Sequence, residues 1–240
     1  MEQREKEYLC IIPARGGSKG LPGKNIKKFC GIPLVAVTIL EAEKSKYIKR
    51  VIVTSEDEEI IKTALEFDAE VIKRPVELAS DSSPTIDSIL HVIEYLQTEG
   101  YSLENIILLQ CTSPLRTVKH IDEAIELFES KKNIADALIS ATKQEHPPWW
   151  NKVLDSEGFL ADLIEYDKNK YQRRQDFPDV YSENGAIYII KTTKLLETLR
   201  LDQTKTILYE MNRLDSIDID NEEDFLFAES IYLKRVKNNG

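Results

Sequence analysis

Short runs rich in β-branched residues alternate along this chain with segments that repeat apolar residues every three or four positions. That alternation restricts the fold more than any single motif does. Residues 9–12 (LCII), 50–54 (RVIVT), 70–73 (EVIK), 105–110 (NIILLQ), 137–141 (ALISA), 186–190 (AIYII) and 206–209 (TILY) read as strands. Residues 32–42, a segment carrying Ile60, Ile61, Ala64, Leu65 and Phe67, and residues 85–96 and 118–128 read as helices. Pro33 suits the first turn of the first helix and Ser55 the cap of the second. Leu195, Leu196 and Leu199 mark a further helix, and residues 225–236 a terminal amphipathic one. Strands that are apolar on both faces belong to a mostly parallel sheet covered by helices on each side. The expectation is a three-layer, Rossmann-like α/β fold whose ligand lies beyond the carboxyl ends of the strands.

At 240 residues the chain reads as one domain, 1–240. The rhythm breaks only across residues 143–180, a polar excursion holding His146-Pro147-Pro148-Trp149-Trp150 and Arg173-Arg174-Gln175. Its tryptophan pair reads equally as core or as an interface anchor. A net charge of −10 argues against nucleic acid as a partner. Cys10, Cys30 and Cys111 have no C-x-x-C spacing and imply neither a disulfide framework nor a zinc site. The first eight residues are polar and charged, unlike a signal peptide, and no run approaches the roughly 20 apolar residues of a membrane span. A cytoplasmic location is expected.

The first strand runs into ARGGSKGLPGKN, residues 14–25, where Gly16, Gly17, Gly20 and Gly23 are interleaved with Arg15, Lys19 and Lys24. Glycines let a ligand approach the backbone, and successive amide N–H groups with fixed cations form an anion site. The Walker A spacing fails, because Ser18 stands where glycine is required and Asn25 where Ser or Thr is required. The dinucleotide pattern G-x-G-x-x-G fails because no two of these glycines are separated by one residue. A solvated surface loop is the competing reading, and cations among the glycines count against it.

Three more clusters fall at strand ends. Residues 74–85 (RPVELASDSSPT) are either a ligand-facing link or a turn capped by Ser82 or Ser83. Gln110, in LLQCTSPLR, either presents its amide to a ligand or is a solvated strand end. Cys111 beside it carries no mark of a reactive thiol. In Ser216-Ile217-Asp218-Ile219-Asp220, an extended backbone would put Asp218 and Asp220 on one face, where two carboxylates call for a divalent cation such as Mg²⁺. The alternative is an acidic loop in which Asp220 caps the next helix.

These motifs, with RRQD at 173–176 and ENGAIY at 183–188, resemble in order those of the N-acylneuraminate cytidylyltransferase (CMP-sialic acid synthetase) family. The resemblance spans roughly residues 10–225. It implies a nucleotidyltransferase fold with residues 143–180 as a small dimerisation and substrate-side insertion, and hence a homodimer. It also implies Mg²⁺-dependent transfer of CMP from CTP to a nine-carbon 2-keto sugar acid, releasing pyrophosphate. On it, Ala14, Arg15, Gly16, Gly17, Ser18, Lys19, Lys24, Asn25, Arg74 and Thr85 bind the nucleotide. Arg15, Lys24 and Asp218 are catalytic, Asp218 and Asp220 hold the metal, and Gln110, Arg174 and Tyr188 hold the sugar acid. Legionaminic or pseudaminic acid is the alternative acceptor. A non-catalytic nucleotide-binding module is the alternative of another class, disfavoured by the paired carboxylates.

Overall fold

The computed structural model describes residues 8–80 and 83–239, with side chains to residue 237. Asp81, Ser82 as a helix cap, and the polar amino-terminal stretch before Tyr8 lie outside the described residues. In chain order the elements are β1 Tyr8–Pro13, β2 Lys28–Phe29, β3 Ile32–Pro33, α1 Leu34–Glu43, β4 Ile48–Ser55, α2 Glu58–Glu66 and β5 Glu70–Lys73. There follow α3 Thr85–Thr98, β6 Asn105–Leu108, α4 Val118–Lys131, β7 Ala137–Lys143, β8 Lys152–Leu154 and β9 Leu160–Asp162. The last are β10 Tyr181–Lys191, α5 Thr192–Thr198, β11 Thr206–Glu210 and α6 Glu222–Asn239.

Seven strands form one sheet in the order β11-β7-β10-β6-β1-β4-β5. All neighbours are parallel except that β10 runs antiparallel to both β6 and β7. Alternation along each strand divides the core. Cys10, Ile12, Val51, Val53, Ile107 and Ile189 pack with α1, α2 and α4 on one face. Leu9, Ile11, Ile52, Ile106, Leu108 and Ile190 pack with α3 and α5 on the other. With both faces covered, the strands are apolar throughout, as the sequence pattern requires.

Two local expectations change. Pro33 does not open a helix turn. It closes the β2–β3 hairpin, and α1 starts at Leu34. The two-residue turn is Cys30-Gly31, both at positive φ (48° and 93°), the geometry that matches strand twist in tight hairpins. The cap of α2 is Asp57, whose Oδ1 accepts from the Glu59 and Ile60 amides, while Ser55 Oγ accepts from Asp57 N.

Residues 144–180 stand between β7 and β10 and carry the small β8–β9 hairpin. They have their own aromatic centre at Phe177, stacked on Trp149 (5.3 Å) and Tyr171 (4.9 Å) and met edge-on by Trp150 and Tyr166. Leu154, Phe159, Leu160 and Leu163 of this segment are more than half exposed.

A third, smaller core lies under the loop that follows β1. Leu21 from the glycine-rich loop, Phe29, Leu34, Leu115, Ile219 and Phe225 pack together. Burying Leu21 and Ile219 in one cluster draws the loop after β1 to the segment before α6, almost two hundred residues away.

Candidate active site

Beyond the carboxyl ends of β1, β5 and β6 lies a cavity of about 390 Å³. Pro13, Arg15, Lys24 and Asn25 line it from the first loop, and Arg74, Ser80, Ser83, Thr85 and Ser88 from the segment around β5 and α3. Gln110, Cys111 and Thr112 line it from the end of β6, and Asp218 and Asp220 from the segment before α6. Residues 216–220 are not a strand, yet Asp218 and Asp220 reach the same cavity. Ile219 between them is fully buried, and its N–H donates to Thr112 O (2.8 Å) while its carbonyl accepts from Lys24 Nζ (2.7 Å). Turning one apolar residue inward leaves its two neighbours facing outward, the alternation of an extended chain. Asp220 does not cap α6: Asn221 Oδ1 accepts from Asp224 N (2.9 Å).

Lys24 joins the two signs of charge. Its ammonium lies 3.9 Å from Asp220 Oδ1 as well as on Ile219 O. Gly20 allows this closure, since a Cβ there would stand 2.1 Å from Asp220 O. The Asp218 carboxyl lines the cavity. Loss of water around it raises its proton affinity, Asp220 and Asp224 add repulsion, and the Thr112 hydroxyl and Lys24 pull the other way. Among the described residues no three Asp, Glu, His or Cys side chains gather as a metal site, so this cavity offers a two-carboxylate donor set. That set fits Mg²⁺, which takes one or two carboxylates and completes its shell with phosphate oxygens and water. A cation between the two would also offset the repulsion between the carboxylates.

Glu56 is the residue the sequence reading passed over. One carboxylate oxygen accepts from Gly16 N (2.8 Å), and the other accepts from Arg74 Nε (3.0 Å) and Nη2 (2.9 Å). Arg74 also donates from Nη1 to Ser88 Oγ (2.8 Å) and from Nη2 to Ala14 O (3.2 Å). The guanidinium is buried, and these bonds tie the glycine-rich loop to β5 and α3 while one edge lines the cavity. Asn25 is buried too, its Nδ2 donating to Arg15 O (2.9 Å). Only the acidic neighbour of a helix cap, in Ser55-Glu56-Asp57, could have signalled Glu56.

The remaining expected residues divide. Ala14 is buried beneath the loop, Gly16 and Ser18 are half-buried, and Gly17 and Lys19 are exposed on it; none of the five lines the cavity. Tyr188 lies on the β10 face that packs with Leu108 and Ile139, outside the cavity lining. Burial and the Glu183 carboxylate push its hydroxyl up to about 12. Arg174 is exposed on the 144–180 segment, where it lines a separate depression with Lys143, Glu145 and Phe177. Cys111 lines the cavity but is buried, which pushes its thiol up to about 12. It is a neutral thiol at physiological pH and not an activated nucleophile.

The molecule is thus an α/β protein whose mostly parallel sheet carries, at its carboxyl edge, a cavity lined by both cations and carboxylates. The same fold occurs in CMP:2-keto-3-deoxy-manno-octonic acid synthetase complexed with CTP, with a TM-score of 0.70 over 96% of this chain and 99% of that one at 14% identity. The chain belongs to the cytidylyltransferase family, which it matches over residues 9–240. It is 34% identical to post-translational flagellin modification protein B of Campylobacter coli, over 97% of each chain. It is 32% identical to pseudaminic acid cytidylyltransferase of Campylobacter jejuni, over 93% of this chain and 95% of that one. It is also 34% identical to N-acylneuraminate cytidylyltransferase of Streptococcus agalactiae, over 91% of this chain but 51% of the relative, whose length it spans only by about half.

Proposed function

We propose that this protein activates a nine-carbon 2-keto sugar acid, an N-acylneuraminate, with CTP, giving the CMP-sugar and pyrophosphate. The observation that carries the reading is the convergence of Arg15 and Lys24 with Asp218 and Asp220 on one cavity. Arg15 and Lys24 neutralise the triphosphate and then the departing pyrophosphate. Lys19, with the amides of Gly16, Gly17 and Ser18, lies along the loop's outer side. Asn25, Arg74 and Thr85 form the wall for cytosine and ribose, above buried Ala14. Gln110 faces the acceptor, and its anomeric hydroxyl attacks the α-phosphorus in line. Such chemistry needs chiefly positioning and charge stabilisation from the protein. Asp218 and Asp220 hold Mg²⁺ in this reading; when bound, the ion offsets phosphate charge and lowers the pKa of a coordinated hydroxyl.

A second acceptor, pseudaminic or legionaminic acid, is supported by the 32% identity to the Campylobacter jejuni relative over 95% of that chain. Arg173-Arg174-Gln175-Asp176 supports the N-acylneuraminate form. Homodimerisation belongs to the same proposal, supported by exposed Leu154, Phe159, Leu160 and Leu163 on the segment that carries Arg174. Through it Arg174 and Tyr188 would serve the sugar acid. Among the described residues no helix is long and apolar enough to cross a membrane, and three free thiols suit the reducing cytoplasm.

The test supplies CTP, Mg²⁺ and a panel of nine-carbon acids and measures pyrophosphate release. Release with CTP and one of these acids is expected. Release with UTP or ATP but not CTP overturns the base assignment.

A further inference from the structure

Asn184 and Gly185 occupy the irregularity where β10 slips register against β7, between Glu183 and Tyr188. Asn184 is 4% exposed, and its amide is fully engaged. Oδ1 accepts from Ser140 Oγ (2.6 Å) and from the Ala186 N–H (3.1 Å). Nδ2 donates to Ser216 Oγ (2.9 Å) and approaches Met211 Sδ at 3.4 Å. The Ala186 N–H can only donate, so the amide oxygen must face it and the nitrogen must face Ser216. Ser216 Oγ in turn donates to Asn212 O (2.8 Å). Ser216 stands two residues before Asp218, and the next anchor beyond Asp218 is Ile219 N on Thr112 O. Asp218 is therefore suspended between two fixed points, one of them supplied by Asn184.

Gly185 lies against Gln110. Its φ is +70°, and a Cβ added to it would stand 2.7 Å from Gln110 Oε1. Its bare α-carbon is the surface against which the Gln110 amide rests. A methyl there must displace that amide, because real Cβ contacts do not come so close.

We propose that Asn184 and Gly185 are a pair of positioning residues that set the two halves of the site separately. Asn184 places the Asp218 carboxylate through Ser216, and Gly185 places the Gln110 amide toward the acceptor. This rests on the CTP-dependent reading above. Because adjacent residues act on different groups, their variants must fail differently, whereas a merely structural role would lower every parameter together.

The test measures steady-state pyrophosphate release from CTP alongside Mn²⁺ binding in the presence of CTP, followed by the electron paramagnetic resonance signal of free Mn²⁺. Asn184→Asp keeps the shape and the Ala186 bond but turns an acceptor toward Ser216, whose hydroxyl can then bond it only by giving up Asn212 O. Ser216→Ala removes the same bond from the half-buried end, where folding is less at risk. Both should lower kcat and weaken Mn²⁺ binding by about tenfold, the equivalent of one hydrogen bond left unmade, with the acceptor KM unchanged. Gly185→Ala should raise the acceptor KM by about tenfold and leave Mn²⁺ binding unchanged. Normal kcat and Mn²⁺ binding in both Asn184→Asp and Ser216→Ala, or all three variants moving the same parameter, overturns the proposal. A wild-type chain that binds Mn²⁺ but releases no pyrophosphate from CTP refutes the functional reading, and the Mn²⁺ comparison still decides the role of Asn184. A wild-type chain that binds no Mn²⁺ overturns both.

Discussion

Cutting the Glu56–Arg74 bridge should unsettle the glycine-rich loop more than cutting any surface ion pair. The two side chains are 12% and 4% exposed and 2.9 Å apart. Removing one partner of a buried pair costs about 3–5 kcal/mol, because the other charge is left without water or counter-ion. Arg74 keeps Ser88 Oγ and Ala14 O when Glu56 is lost, so Glu56→Ala belongs at the lower end, about 3 kcal/mol. Arg74→Met leaves Glu56 with the Gly16 amide alone and should cost about 3 kcal/mol as well. The double variant should lose about 4 kcal/mol rather than 6, a coupling of about 2 kcal/mol. Urea denaturation of the four proteins measures this, with midpoints moving and the slope unchanged. Losses that add to within about 0.5 kcal/mol would show that the two side chains do not act as a pair, and would refute the reasoning.

Arg15→Ala should fold normally by circular dichroism and lose about 10²–10³ in kcat, the usual effect of one transition-state charge contact; near-normal turnover removes Arg15 from the mechanism. Native protein at pH 8 should react slowly with a thiol reagent, because burial pushes Cys111 up to about 12 and Cys10 further, and Cys30 is raised to about 11 beside Glu229. All three thiols should react after denaturation, and a fast native thiol traced to Cys111 would contradict this. Glu70 is held below the usual carboxylate range by the bidentate Arg50 guanidinium (2.8 and 2.7 Å). Its stabilisation is thus complete above the unfolded pKa and is lost as pH falls through the lower folded one. Arg50→Met should cost under about 1 kcal/mol at neutral pH for this half-exposed pair, and the difference from wild type should shrink below about pH 4. A difference in melting temperature that persists unchanged at pH 3 would contradict that sign.

The core was legible because alternation is a local property. Cys10 and Ile12 fall on one face and Leu9 and Ile11 on the other, whatever the strands pair with. Pairing direction is not local: β10 reads AIYII much like the strands that pair in parallel, and nothing in those residues marks it as antiparallel. The tight Cys30-Gly31 turn was hidden because Pro33 satisfies a helix start as readily as a strand end. In the site, Arg15, Lys24, Gln110, Asp218 and Asp220 were readable from residue type and pattern and Asn25 only through the family resemblance, and all six line the cavity. The contacts of Glu56, and of Asn184 within ENGAIY, were not readable, because both act through backbone or hydroxyl partners distant in sequence, on Gly16 and on Ser216. Arg74 shows the same limit from the other side, since its four side-chain hydrogen bonds are settled by packing around β5 and α3.

The central claim is that cations from the loop after β1 and carboxylates from the segment before α6 close on a single triphosphate. Crystals grown with CTP and Mn²⁺, with anomalous scattering used to locate the metal, test it most directly. The account predicts a Mn²⁺ peak between Asp218 and Asp220 that touches a triphosphate held by Arg15 and Lys24. A triphosphate seated elsewhere, or a metal peak away from both carboxylates, would contradict it.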